Sequence, residues 1–445
     1  MTSPDTIVAV ATAPGRGAIG VIRVSGPLVP QIAMALLGAL PTPRYACHRR
    51  FKDGLGQTLD EGLALYFPSP ASYTGEDTLE LQGHGGTVVL DLLTRRLIEL
   101  GCRLARPGEF SERAFLNGKM DMAQAEAVAD LIDAASRAAA RAAIRSLQGD
   151  FSARIAALAA EITALRVHVE AAIDFPDDEV DFLSDASLQV RLAAVFAAFD
   201  SIAAAARQGV LLREGLHVVI AGPPNAGKSS LLNRLAGDDV AIVADVPGTT
   251  RDVLRHEVHI DGLPLRLADT AGLRSSADAV EAEGVRRARS EIGRADRVLY
   301  VIDATAAADP GSKVDFGVPV TLVLNKIDLI AAAEPRLDEG AEPPRVYLSA
   351  RTGRGLDLLR QHLKSTLGYS ESESGVFSAR RRHLDALERA RRHVDAAADT
   401  LARRRAFELF AEDLRLAQRA LGEITGEFTS EDLLGEIFGS FCIGK

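Results

Sequence analysis

Residues 222 to 229 read GPPNAGKS: a glycine, four residues, then Gly227, Lys228 and Ser229. This spacing suits phosphate chemistry. Glycines let successive backbone N–H groups turn inward around α- and β-phosphates, Lys228 brings a positive charge to the β- and γ-phosphates, and the Ser229 hydroxyl is placed to ligate Mg²⁺. Asn225, Ala226 and Ser230 fill out the same loop. Leu216 to Ile220 before it reads as a strand and SLLNRLAG after it as a helix, the context such a loop requires. Downstream, Asp269, Thr270, Ala271 and Gly272 spell DTAG at the end of the strand-like run Leu263 to Ala268. That puts a carboxylate near the metal and a glycine N–H near the γ-phosphate. Asn325, Lys326 and Asp328 form NKID after the apolar run Val318 to Leu324. The Asp328 carboxylate can accept two hydrogen bonds from the N1 and N2 edge of guanine, which adenine does not offer. Ser349, Ala350 and Arg351, in YLSAR, would close the base pocket from behind. In this order and spacing the motifs predict a GTP-hydrolysing domain.

Two positions depart from the commonest hydrolytic arrangement. Where a glutamine often orients the attacking water after DxxG, this chain has Leu273, and an aliphatic side chain cannot position water. Another polar group and another cation are therefore needed. Asn225, with carbonyls of the loop around Ala244, Asp245, Val246, Pro247, Gly248, Thr249 and Thr250, could form an oxygen cage for a monovalent ion, K⁺ being the natural candidate. The alternative is that Asn225 only bonds within its own turn, as asparagine often does. Thr250 would supply a second hydroxyl to Mg²⁺. Glu281, in LRSSADAVEAEG, is the candidate to orient water, against the reading of a solvated helix-face glutamate with Glu283 nearby.

At 445 residues the chain holds roughly two to four domains. Its net charge of −10 argues against a broadly basic nucleic-acid binder, so any RNA contact must use local patches. Arg380 to Arg382 and Arg403 to Arg405 are candidates. Three scattered cysteines, Cys47, Cys102 and Cys442, offer neither a disulfide framework nor a paired metal site. No apolar run near the ~18 residues of a membrane span is expected, and MTSPDTIVAV lacks a basic segment leading an apolar one. A cytoplasmic location without membrane association is expected.

Composition changes along the chain. Residues 1–117 alternate short apolar runs (Ile7 to Ala11, Ala18 to Val24, Thr78 to Gln82) with one helix from Val88 to Leu100, an α+β pattern. Residues 118–213 are alanine-rich with apolar positions three and four apart, broken mainly by IDFPDDEVDF, hence all-α. Residues 214–368 read as a doubly wound, Ras-like P-loop domain. Helical periodicity returns from Val376 to about Leu421, within a last part 369–445. Two helical blocks flanking one nucleotide domain suggest that the latter is inserted into a single helical domain. The acidic run Asp174, Asp177, Asp178, Glu179 and Asp181 could bind a metal, although charge runs are more often solvated.

GPPNAGKSS, PGTTRD, DTAGLR, NKID and the ending FCIGK, with YTGEDTLELQGHGG, RPGEFSERAFLNGKMDMAQAEAVADLID and AAIDFPDDEVDF, together resemble the MnmE, or TrmE, family of tRNA-modification GTPases across essentially the whole chain. The resemblance implies a potassium-stimulated GTPase with Glu281 orienting water, a homodimer joined through its N-terminal domains and transiently through its G domains, and an N-terminal fold like that of folate-dependent aminomethyltransferases. It also implies a bound 5-formyl- or 5,10-methylene-tetrahydrofolate held by Arg23, Glu80, Lys119 and Lys445. The partner implied is the FAD-dependent protein MnmG (GidA), in a heterotetramer that adds an aminomethyl or carboxymethylaminomethyl group to C5 of the wobble uridine (position 34) of certain tRNAs. Without the resemblance, those four charged residues read as solvated surface groups. Cys442 takes part in the chemistry by the family motif, or is a small buried hydrophobe. Ala244 stands where some relatives carry a hydroxyl, so potassium contact there would have to come from backbone carbonyls. A rival reading is a GTP-switched assembly or ribosome-binding factor with no modification chemistry.

Overall fold

A computed structural model describes residues 5–174, 186–236, 255–260, 263–269, 292–306, 316–366, 375–404, 407–427, 431–439, 441 and 444. The chain divides into two compact units, the first comprising residues 1–129, 147–188 and 389–445, the second residues 130–146 and 189–388.

The first unit opens with a six-stranded sheet formed by β1 (Thr6–Val10), β2 (Ile19–Ser25), β3 (Cys47–Lys52), β4 (Thr58–Phe67), β5 (Thr78–His84) and β6 (Cys102–Leu104), in the order β3-β4-β5-β2-β1-β6. Pairing is antiparallel except between β1 and β6. Alternation decides the faces: Ile22 and Val24 of β2 and Leu79 and Leu81 of β5 point into a core, leaving Arg23 and Glu80 on the other face. Helices Val29–Leu37 and Thr87–Glu99 cover the core face, the latter through Leu90, Leu93 and Leu97 at helical spacing. The expected strands and the helix near Val88 are present. Strands β3 and β4 went unread because CHRRFK and TLDEGLALYF carry too many charges on their exposed side to show a clean alternation.

Buried charge fastens the next helix, Glu109–Leu116, to this sheet. Arg113, 5% exposed, reaches Asp5, Glu76 and Glu109 at 2.7, 3.1 and 3.1 Å. Glu109 also accepts from Arg103 at 2.6 Å and from the Arg106 amide at 2.7 Å. Burial alone would raise the Glu109 carboxyl, but the Arg103 and Arg113 guanidiniums and the Arg106 amide overcome it and hold the carboxyl at about 2.

Helices Asp150–Asp174 and Phe407–Thr425 pack together in the same unit. Phe151, Ile155, Leu158, Ile162, Leu165 and Val169 are buried along one, and Phe410, Leu414, Ala417, Leu421 and Ile424 along the other. These alternating steps of three and four are the spacing of a helix–helix seam. Near the end of the chain, helix Glu431–Gly439 buries Ile437 and Phe438, with Phe441, against Met122, Ala125 and Ala129.

The second unit carries a seven-stranded sheet of β7 (Leu216–Ala221), β8 (Arg255–Ile260), β9 (Leu263–Asp269), β10 (Arg297–Asp303), β11 (Val320–Asn325), β12 (Arg336–Asp338) and β13 (Arg345–Tyr347), in the order β12-β13-β11-β10-β7-β9-β8. The five inner strands are parallel and the two edge strands antiparallel. Helices Lys228–Ala236 and Leu356–Thr366 bury Leu231, Leu235, Leu359 and Leu363 in its core. This is the Ras-like doubly wound arrangement expected, and it gathers the loops after β7, β9, β10, β11 and β13 at the carboxyl edge, where ligands bind in such sheets.

Helices Met122–Ile132, Arg137–Leu147, Asp150–Asp174 and Ala186–Glu214 account for the alanine-rich stretch. Among the described residues one helix segment, Leu188–Glu214, is long and apolar enough to cross a membrane by length and composition, against the expectation that no run approaches that size. Its many alanines raise the mean hydropathy even though Asp200 and Arg207 interrupt it. Leu192, Val195, Phe199, Ile202, Ala206 and Val210 are buried along one stripe, which is how a core helix of a globular unit packs.

The second helical block begins later than expected. Val376 to Arg380 are not helical, with the Ser378 amide and carbonyl bonded to Ala142 O and Ser146 Oγ, and helix Arg381–Arg404 follows. Two arginines of the candidate patch Arg380 to Arg382 have acidic partners within the unit. Arg380 and Arg213 both reach Asp130 Oδ1, at 3.0 and 2.8 Å, so Arg380 fastens the fold, whereas Arg381, 74% exposed, pairs with Glu214 at 2.9 Å from the surface. The second patch, Arg403 to Arg405, and the acidic run from Asp177 to Asp181 lie outside the described side chains.

Candidate functional site

The turn from β7 into helix Lys228–Ala236 is built from backbone that few residues tolerate. Gly222 has φ +140° and a Cβ there would lie 2.1 Å from Val301 O; Gly227 has φ +96° and a Cβ would lie 2.2 Å from Asn325 Nδ2. Both positions therefore require glycine. Asn225, exposed, is left-handed at φ +60°, a conformation that asparagine accepts better than most residues. Lys228 is 8% exposed and donates to the carbonyls of Gly222 and Pro223 at 3.0 and 2.8 Å, which sets its ammonium inside the loop. Ser229 and Ser230 are exposed at the helix start, where the amides and the helix dipole favour an anion.

Asn325 ties three loops together. It is 2% exposed; its Nδ2 donates to Ala226 O at 2.9 Å, and its Oδ1 accepts from the Ala350 amide at 2.9 Å. The phosphate loop and the loop holding buried Ser349 and Ala350 are thus held by one amide. Lys326, at φ +70°, starts the short 3₁₀ turn Ile327–Leu329 that carries Asp328. Gly227, Ser230, Asn325, Lys326, Asp328, Leu329 and Arg351 line a cavity of about 290 Å³. Its size, its carboxylate and its position against the phosphate-loop glycine Gly227 suit a purine nucleoside.

Asp269 ends β9 beside Ile220 of β7, so its backbone is next to the phosphate loop. Its side chain, Thr270, Ala271, Gly272, Glu281 and the loop from Ala244 to Thr250 lie outside the described residues. Among the described residues no cluster of three or more His, Cys, Asp or Glu side chains that could hold a metal is present. A magnesium site built from one serine and one threonine hydroxyl needs no such cluster.

A second constellation lies in the first unit. Arg23 of β2 faces Glu80 of β5 in register, with Nε and Nη2 at 2.9 and 2.8 Å from one carboxylate oxygen. The pair is about one-fifth exposed, and the Arg23 guanidinium lies 5.2 and 5.8 Å from the ring centroids of Tyr73 and Phe110. Lys119 Nζ donates to Pro70 O at 3.0 Å, and its stem passes Gly75. Gly444, at φ +98°, is buried so close to β1 that a Cβ would stand 2.5 Å from Val10 O. The end of the chain is therefore laid against the N-terminal sheet, with Cys442 and Lys445 themselves outside the described residues. Neither Tyr73 nor Gly444 was singled out by sequence; the ring contact with Arg23 and the glycine's approach to Val10 reveal them.

Residues 6–119 match the family model described as GTP-binding protein TrmE N-terminus, and residues 122–442 match the one described as MnmE helical domain. The tRNA modification GTPase MnmE of Yersinia pestis bv. Antiqua (strain Angola) is 57% identical over 455 aligned positions that cover 100% of both chains. The chain belongs to the MnmE family. The same protein of Yersinia pseudotuberculosis serotype IB (strain PB1/+) is likewise 57% identical over 100% of both chains. A crystal structure of Aquifex aeolicus Era bound to GDP and aluminium fluoride aligns at 28% identity over 40% of this chain and 66% of that one, with a TM-score of 0.26. As an MnmE-family member the chain is a GTP hydrolase, and the two glycines and the 290 Å³ cavity are the parts of its G domain that suit the nucleotide.

Proposed function

We propose that this chain couples GTP hydrolysis to modification of the wobble uridine of tRNA, adding an aminomethyl or carboxymethylaminomethyl group at C5 together with an FAD-dependent partner. The observation that carries the reading is the conjunction, in one chain, of the nucleotide site and the Arg23–Glu80 pair, on the same sheet whose strand β1 has Gly444 packed against Val10 O. In the division proposed, residues 1–117 form the folate-binding and dimerisation domain, 118–213 and 369–445 the helical domain, and 214–368 the G domain.

In the G domain, Lys228 and the amides of Asn225 to Ser230 hold the phosphates, Ser229 and Thr250 ligate Mg²⁺, and Asp328 reads guanine with Ser349, Ala350 and Arg351 closing the pocket. The remaining contacts come from Ala244 to Thr250 and from Asp269 to Gly272. Asn225, with Ala244, Val246 and Thr249, holds K⁺, which supplies positive charge beside the phosphates, and Glu281 orients water. The left-handed Asn225, exposed at the loop tip, supports that assignment because its amide is presented outward.

In the N-terminal domain, the Glu80 carboxylate is oriented by Arg23 and keeps a second oxygen for an aminopyrimidine edge. The Tyr73 ring offers a stacking surface, and Lys119 and Lys445 suit the anionic tail of a folate. The donor set thus fits a pterin, which when bound carries the one-carbon unit. Protomers pair through these domains, the G domains meet only when GTP and K⁺ are bound, and the partner MnmG completes a heterotetramer in the cytoplasm.

Binding of 5-formyl-tetrahydrofolate, followed by titration calorimetry, tests the reading against that of a GTP-switched assembly factor. Micromolar binding, lost in Glu80→Gln, is expected; no binding by the wild type favours the switch. Hydrolysis in potassium should exceed that in sodium, and equal rates would remove the potassium assignment.

A further inference from the structure

We propose that Asp303 is a positioning residue for guanine recognition, holding Lys326 in place as a wall of the base cavity. Strands β10 and β11 are paired so that Asp303 stands opposite Asn325, and the Ala304 amide donates to Asn325 O at 2.8 Å. The two turns that follow these strands therefore lie side by side at the carboxyl edge of the sheet. Asp303 Oδ1 accepts from the amide and the hydroxyl of Thr305, at 2.9 and 2.7 Å. This local turn fixes the carboxylate and leaves Oδ2 aimed at Lys326 Nζ, 2.7 Å away.

Lys326 is consequently held at both ends. Its backbone is left-handed, at φ +70° and ψ +32°, which a side chain with a Cβ resists, and its ammonium is anchored on a neighbouring strand. Held at these two points, Lys326 lines the cavity shared with Asp328 and Arg351, where its aliphatic stem would offer an apolar flank to a purine. An unanchored lysine would have to be ordered on binding, at the expense of affinity. The same left-handed residue opens the 3₁₀ turn that carries Asp328, so loss of the anchor loosens the residue that reads the base as well as the wall it lies against. A strand-end aspartate contributes no sequence signal of its own; its role rests on the register with Asn325 and on the bond to Lys326.

The test is a double-mutant cycle on GDP affinity in the full-length protein, with Asp303→Ala, Lys326→Ala and both together, measured by titration calorimetry. Asp303→Ala is expected to weaken GDP about tenfold, equivalent to about 1.4 kcal/mol. In the Lys326→Ala background the same change is expected to have almost no further effect. A loss of equal size in both backgrounds would mean that Asp303 acts independently of Lys326, and that overturns the proposal, as does unchanged affinity in the single variant. Should Asp303→Ala fail to fold, Asp303→Asn keeps the Thr305 bonds but removes the charge. About a threefold loss that vanishes in the Lys326→Ala background is then expected, and no loss overturns the proposal. The cycle reads nucleotide affinity alone, so its outcome is separate from that of the tRNA chemistry proposed above.

Discussion

Replacing Asn325 by alanine removes one amide from the place where three loops meet. Two hydrogen bonds of 2.9 Å disappear, and both partners, Ala226 O and the Ala350 amide, belong to residues no more than 3% exposed. Each bond removed while its buried partner stays in place costs about 1–2 kcal/mol, so a local destabilisation of about 2–4 kcal/mol follows. That is large enough to open the loop around Ala350 without unfolding the sheet beneath it, which is held by β10, β11 and β13. Hydrogen exchange followed by mass spectrometry, on peptides spanning residues 346–352 of the nucleotide-free protein, reports this opening directly. Exchange should accelerate about 30- to 800-fold, and GDP affinity should fall with it. Asn325→Asp sharpens the test. It has the same shape, but an oxygen would face the Ala226 carbonyl, so its loss should be comparable to that of alanine. Exchange within threefold of wild type in both variants would refute the reasoning.

In the N-terminal domain, the Glu109 carboxyl is held at about 2, well below its ordinary value of 4.5, so it stabilises the fold fully above about pH 4.5 and loses that contribution as pH falls toward 2. Glu109→Gln should therefore lower stability near neutral pH by about 3 kcal/mol, with the difference from wild type shrinking below pH 4.5; urea unfolding across pH 2–7 checks it, and a pH-independent difference would contradict it. Gly444→Ala places a Cβ against Val10 O at a positive φ. It should release the carboxyl-terminal segment and lower 5-formyl-tetrahydrofolate affinity at least about tenfold while GTP hydrolysis continues, since the G domain is untouched. Calorimetry and a phosphate-release assay read the two halves of that expectation.

Much of the nucleotide site was legible because its chemistry dictates residue type. A loop that must turn its amides inward needs glycine at Gly222 and Gly227, and guanine recognition needs a carboxylate at Asp328, so spacing alone located them. The anchors behind these groups were not legible. Asp303 and the amide of Ala350 matter through strand register, and no short-range pattern encodes which strand end lies next to which. The same limit explains Arg380 and Arg381. A run of three arginines reads as a candidate RNA-contact patch, and nothing in it shows that two of them meet Asp130 and Glu214, which lie more than 160 positions earlier in the sequence. Arg23 and Glu80, 57 residues apart, were named through family resemblance and not through their own spacing. Register then shows why these two types go together: directly opposed on neighbouring strands, each neutralises the other's charge on a half-buried sheet face.

Nucleoside mass spectrometry of bulk tRNA, from cells lacking this protein and from the same cells complemented with wild type or with Glu281→Gln, tests the central claim most directly. The account predicts that the C5-modified wobble uridine disappears on deletion, returns with wild type and does not return with Glu281→Gln. A nucleoside profile unchanged by deletion would contradict it and leave the chain a GTP hydrolase serving another process.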